Sequence, residues 1–324
     1  MTNQPSSLLG GMTKVVPPSR ATSAPPRRRT RRIARRWKAW AFLAPVAIYM
    51  VLFYAYPLGR NVELSVHNYN IAAFVTGVAE FVGLENYVRV ITSSTFVPAL
   101  TQTAVFTLVS VFFQFSLGLA LAVFFYRKFP LSMTLRALFL IPWLLPLIVS
   151  ASTWSRMMNS DYGVLNVILG TFGIPEIHWL TSSDSALASV ILVCIWLGIP
   201  FNLVILYSGL QNIPEEIYEA SLIDGASPWQ TFWQITFPLL RPVAAIAILL
   251  GLVYTLKTFD IIWIMTRGGP GSASTTLATW SYQLGFGSSF PQFSPAAAVG
   301  NTLVVLALII GAIYAVSRRR LEDV

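Results

Sequence analysis

Three stretches of this chain carry no charged residue: those between Arg89 and Arg127, between Asp184 and Glu215, and between Arg267 and Arg318. Each exceeds the roughly 20 apolar residues that a helix needs to cross about 30 Å of hydrocarbon. Hydrocarbon offers the backbone no water, so a spanning segment must satisfy its own hydrogen bonds as a helix or within a closed barrel. A barrel requires alternating segments of about ten residues, and these runs do not alternate. Charged residues make up 11% of the chain, against about 25% in soluble domains. The net charge of +9 sits in tails and short loops, so it does not point to nucleic acid. One cysteine, Cys194, excludes an intrachain disulfide and a multi-cysteine metal site, and the distant His67 and His178 make no ligand pattern.

The expected fold class is an all-α integral membrane protein. Six apolar runs read as transmembrane helices, over about 39–58, 97–125, 137–158, 186–208, 242–265 and 295–317. Residues 1–38, rich in Pro, Ser and Arg, are expected to be a disordered basic tail touching anionic lipid, and not a cleaved signal peptide. Residues 39–317 form the transmembrane domain in this reading, and 318–324 a short second tail.

Lysine and arginine set the orientation. Ten lie in the first 38 residues, and Arg127, Lys128, Arg136, Arg241, Arg318, Arg319 and Arg320 fall on the same side of the expected spans. Arg60, Arg89, Arg156, Lys257 and Arg267 fall on the other. Both termini are therefore expected in the cytoplasm, as an even span count requires. The outer segments 59–96, 159–185 and 266–294 have room for short helices and no domain.

Between the fourth and fifth runs lies EEIYEASLIDGASPWQTFWQITFPLLRP, residues 215–242, a polar and acidic block on the cytoplasmic side. Asn212 is placed as an N-cap with Glu215 as its capping-box partner. Glu215, Glu216 and Glu219 suit the positive end of a helix, and Gly225 suits a left-handed end. Ser227-Pro228-x-Gln230 repeats the start signal, and Pro238 and Pro242 are expected to end a second short helix. Two short helices hinged at Gly225 result. Small Ala220 and Ser221 would admit a partner surface, with Trp229, Phe232 and Trp233 supplying apolar area. An amphipathic hairpin lying on headgroups is disfavoured by the acidity, since interfacial helices favour Lys and Arg.

This block resembles the EAA signature of permease subunits in binding-protein-dependent ABC importers. Glu219-Ala220-Ser221, Gly225, Ile235 and Phe237-Pro238 keep its spacing, with Ser for the second Ala and Phe for Leu. The likeness extends over about 39–317. FVGLENY (81–87), KTFDIIWIMTRGGP (257–270) and the block itself are most similar to the carbohydrate-uptake branch. The resemblance implies a subunit that forms half of a pathway for a sugar or related polyol. It implies a coupling helix, with Glu215, Glu216, Glu219, Ala220, Ser221, Asp224, Gly225, Ile235 and Pro238, docking in a groove of a cytoplasmic ATPase. The implied partners are a second homologous permease, two ABC ATPase subunits and an extracytoplasmic solute-binding protein, in the cell membrane. ATP binding would close the ATPases, and the coupling helices would switch access from inward to outward.

No P-loop occurs, because none of Lys14, Lys38, Lys128 and Lys257 follows a glycine. G-x-S-x-G, H-E-x-x-H and C-x-x-C are also missing. The chain is expected to have no enzymatic chemistry and no cofactor, with ATP and magnesium on the partner ATPase. Polar groups within spans are costly and usually face the bundle interior. Lys257 and Asp260, three apart, are expected on one helix face, either as an ion pair that fixes the helix or at the solute path and gate. Gln114, Asn202 and Trp154, with Trp143 and Trp196, are weaker candidates, since amides and aromatic rings suit sugars. Two other readings stay open: an ABC permease for a non-sugar solute, and a self-contained secondary transporter, for which no convincing internal repeat is visible.

Overall fold

The computed structural model describes residues 42–69, 73, 76–127, 129–287 and 289–322, of which 318–322 by backbone alone. The expected tail 1–38, the first residues of the first expected span and residues 323–324 lie outside them. Packing divides the chain into a unit ending at Pro57 and a second over Leu58–Val324.

The described chain is almost wholly helical. Five helices are long and apolar enough to cross a membrane: α1 (Phe42–Val66), α3 (Phe96–Tyr126), α8 (Ala186–Gln211), α10 (Pro228–Leu256) and the Phe293–Ser317 part of α13 (Phe293–Glu322). The short elements are β1 (His67–Asn68) and β2 (Glu80–Phe81), paired antiparallel, then α2 (Glu85–Ile91), α4 (Ser132–Phe139), α5 (Ile141–Leu144), α6 (Leu147–Met157), α7 (Val164–Thr171), α9 (Glu215–Ile223), α11 (Asp260–Met265) and α12 (Leu277–Phe286). Thus each of the segments 59–96, 159–185 and 266–294, expected on the outer side, holds a short helix.

The first unit carries the start of α1, and its described side chains are exposed except for half-buried Ala44, as suits a helix meeting lipid.

The second unit is built around α3 and α8, which share its most extensive helix contact. Small residues bring them together. A Cβ on Gly118 of α3 would stand 2.4 Å from Cβ of Asn202, and one on Gly198 of α8 would stand 2.3 Å from Cδ of Gln114. One core cluster joins Phe106, Met158, Val193 and Ile262. A second joins Phe125, Leu206, Leu210 and Leu240, and a third joins Val90, Leu277, Trp280 and Val299.

Three expectations need correction. The run 137–158 is not one helix but α4, α5 and α6, because Pro142 opens α5 and Pro146 interrupts the next turn. Proline removes an amide donor and drives its predecessor to extended backbone, and Leu145 has ψ 141. The run 242–265 is not one helix either: α10 ends at Leu256, and α11 starts anew at Asp260. Finally, Pro238 and Pro242 do not end a second short helix, since α10 runs unbroken from Pro228 to Leu256. Pro238 cannot donate to the Gln234 carbonyl, and the ladder widens into a π turn over Phe232–Thr236, with Phe237 N–H bonding the Phe232 carbonyl.

Candidate functional site

The acidic block folds as an elbow between α9 and the start of α10. Its entry differs from the expected one. Asn212 closes α8, and its side-chain amide donates to the Ser208 carbonyl at 3.0 Å. Pro214, extended at ψ 137, is the residue before α9, so Glu215 stands at the first helical position and no capping box forms. The elbow itself is as expected. Gly225 has φ +74. Ala226 N–H bonds the Ser221 carbonyl and Gly225 N–H the Leu222 carbonyl, which is a Schellman end. On the far side Ser227 Oγ accepts from Gln230 N–H while Gln230 Oε1 accepts from Ser227 N–H at 2.8 Å. Two opposed caps therefore enclose a four-residue link, Asp224 to Ser227.

Ser221 does not face outward. It is buried, donates to the Tyr218 carbonyl at 2.8 Å and meets Thr231 Oγ1 at 3.5 Å. Its small size serves the contact between α9 and α10. The outward surface is made by Glu215, Glu216, Glu219, Ala220, Asp224 and by apolar side chains: Leu222 and Trp229 at 72% exposure and Ile223 at 87%. Trp229 and Trp233 rings lie 5.6 Å apart, edge to face. Ile235 and Pro238 are half-buried in the π turn and just beyond it.

A cavity of about 670 Å³ lies between α3, α5, α8 and the end of α10. Gln114, Lys257 and Asp260 line it, and so do Trp143, Phe201, Tyr254, Thr255 and Thr258. Ring centroids are 6.3 Å apart between Trp143 and Phe201, and 6.3 Å between Phe201 and Tyr254. The expected ion pair is not formed. Lys257 caps the end of α10, and Asp260 opens the next helix, so the two do not share a helical face. Lys257 Nζ stands 4.9 Å from the centre of the Tyr254 ring. Among the described residues the ion pairs are Arg60–Glu63 and Arg89–Glu85. This wall therefore presents aromatic faces, hydroxyls, an amide and two separate charges.

Asn202 and Trp154 are placed elsewhere. Asn202 is buried against Gly118, its amide donating to the Gly198 carbonyl at 3.0 Å. Trp154 packs edge to face on Trp196 at 5.5 Å and lines an apolar cavity of about 250 Å³ with Met158 and Trp179. Sequence reasoning missed Phe201, Tyr254, Thr255 and Thr258. Phe201 and Tyr254 lie three positions, about one helical turn, from Gly198 and Lys257, a signal that could have found those two, whereas Thr255 and Thr258 carry no such mark. The described residues hold no group of three or more His, Cys, Asp or Glu suited to a metal ion.

Residues 114–323 match the family described as "Binding-protein-dependent transport system inner membrane component". The trehalose/maltose transport system permease protein MalF of Thermococcus litoralis is 37% identical over 245 residues, covering 75% of this chain and 81% of that protein. The sulfoquinovosyl glycerol transport system permease protein SmoG of Agrobacterium fabrum is 34% identical over 291 residues, 85% of this chain and 94% of its own. Among solved structures, a chain of a bacterial alginate ABC transporter in complex with an alginate pentasaccharide-bound periplasmic protein superposes with a TM-score of 0.77. That match is 23% identical, covers 91% of this chain and 98% of the other, and speaks for the fold.

Proposed function

This chain belongs to the binding-protein-dependent transport system inner membrane components, the permease subunits of ABC importers, and from that premise we propose that it passes a sugar or related polyol. As a permease it is not itself an enzyme. The observation that carries the proposal is the elbow at Gly225, whose two caps fix an exposed apolar and acidic surface onto the end of a helix that reaches the cavity. That surface docks on a cytoplasmic ABC ATPase, which holds the ATP and magnesium.

The remainder follows from the same reading. A second homologous permease completes the pathway, and a pair of ATPase subunits and an extracytoplasmic solute-binding protein complete the importer. The broken set α4–α6 supplies the sixth crossing. Both termini and the elbow lie in the cytoplasm, in keeping with the lysine and arginine distribution. The cavity beside Tyr254, Lys257 and Asp260 is the solute path. Its aromatic faces and hydroxyls suit pyranose rings, and two relatives carry sugar-containing solutes in their names.

The test is co-purification of the tagged chain with the products of neighbouring genes, for the natural chain, Gly225→Asp and Glu219→Lys. An ATPase should come down with the natural chain and be lost or uncoupled in the variants. Purification alone, with uptake retained, would sink the importer reading.

A further inference from the structure

At the break between α10 and α11 consecutive side chains part company. Thr258 and Asp260 line the main cavity, while Phe259 lines a second cavity of about 310 Å³. Its wall carries an aromatic run: Tyr282 lies 4.6 Å from Phe259, and Phe286 lies 5.4 Å from Tyr282. Trp263, outside the lining, packs on Phe259 at 5.6 Å and on Tyr282 at 4.7 Å. Phe293 continues the run 6.3 Å from Phe286.

Polar groups border the rings. Asn61 lines the same cavity, oriented by its amide nitrogen donating to Asn301 Oδ1 at 2.6 Å. Ser281 lines it too, with its hydroxyl donating to the Ala296 carbonyl at 2.8 Å. Among the described residues the lining holds no charged side chain, unlike that of the main cavity. An ion finds no counter-charge here. An acyl chain would gain nothing from an amide and a hydroxyl, whose burial against hydrocarbon costs free energy. A ring with one flat C–H face and hydroxyls at its rim satisfies both parts of the wall, since aromatic faces offer apolar area and neighbouring polar atoms fix orientation.

We infer that this aromatic cavity is a second saccharide subsite, in which a pyranose ring lies on Tyr282 and Phe259 with its hydroxyls toward Asn61 and Ser281. The inference rests on the sugar reading of the path. It adds a station beside the main cavity, the two being lined by consecutive residues of one stretch of backbone, Thr258 and Asp260 for the main cavity and Phe259 for the second.

The test uses the assembled transporter carrying Ser281→Cys in a Cys194→Ala background, or Ala278→Cys where the first variant does not assemble. Labelling of the new thiol by N-ethylmaleimide is timed in trehalose, maltose and sulfoquinovosyl glycerol, with open-chain sorbitol as control. Uptake of each sugar is measured on the same preparation. At least one transported sugar should slow labelling several-fold, sorbitol should not, and added Tyr282→Ala should abolish the protection. A transported sugar that leaves labelling unchanged, or protection that survives Tyr282→Ala, overturns the subsite and leaves the sugar reading standing. Uptake of none of the three, with a solute that is neither sugar nor polyol carried by the same preparation, overturns the sugar reading, and the subsite with it.

Discussion

The side-chain amide of Gln114 donates to the main-chain carbonyl of Cys194 at 3.0 Å, bridging α3 to α8 across their closest approach. Interhelical hydrogen bonds of this kind contribute about 0.6–1 kcal/mol in membrane helices. Gln114→Leu should lower the thermal midpoint of the purified complex by a corresponding few degrees while the subunits remain assembled. Differential scanning fluorimetry would read it, and an unchanged midpoint would show that the bond contributes nothing net.

Gly198 is the counterpart of that contact. A methyl group there would stand 2.3 Å from Cδ of Gln114, so the two side chains cannot both keep their places. Gly198→Ala should cost roughly 1–3 kcal/mol as overpacking does. Shortening the neighbour, Gln114→Ser, should restore assembly. Recovery of the detergent-stable complex in the double variant, compared with Gly198→Ala alone, checks the pairing.

Gly225 is required for its backbone angle and not for space, because a Cβ there would meet nothing within 4 Å. A left-handed L-residue costs about 1–2 kcal/mol, and asparagine suffers least. Gly225→Asn should therefore retain more sugar-stimulated ATP hydrolysis in the assembled importer than Gly225→Ala. Equal losses in the two variants would point to a surface requirement at this position instead.

Lys257 and Asp260 line one cavity from separate helices, with Lys257 directed at Tyr254. Lys257→Met and Asp260→Asn should each reduce uptake in proteoliposomes without loss of assembly. Their effects should add within about 0.5 kcal/mol, as for groups that do not pair. A larger coupling in the double-mutant cycle would restore the ion pair that the sequence suggests.

The apolar runs announced α3, α8 and the spanning part of α13 to within a few residues, because length and hydropathy alone decide whether a helix can cross a membrane, whereas α1 runs on to Val66 and α10 starts well before its expected span, at Pro228. Breaks inside the runs were harder. Pro142 and Pro146 carried the signal for α4–α6, but the break after Leu256 has no glycine or proline to mark it. There Phe259 joins nearby Trp263 and also Tyr282, which lies more than 20 positions away in the chain. The elbow was legible because capping and left-handed ends are local devices. Asn212 misled because a good capping residue two positions before a proline can equally finish the preceding helix. The cavity was half legible: polar residues in spans drew notice, whereas Phe201 and Tyr254 look like any other membrane aromatic until the helices are brought together.

The unbroken course of α10 makes it a connecting rod. Its 29 residues at about 1.5 Å each give a shaft of roughly 43 Å, with the elbow at one end and Lys257 at the other. A hydrogen-bonded helix transmits push, pull and twist without stretching. A stroke delivered at the elbow would therefore reappear at the cavity wall as displacement or rotation, and the one-residue widening at Phe232–Thr236 sets the angular phase between the two ends. Deleting a single residue from that turn would leave both ends intact and put them about 100° out of register.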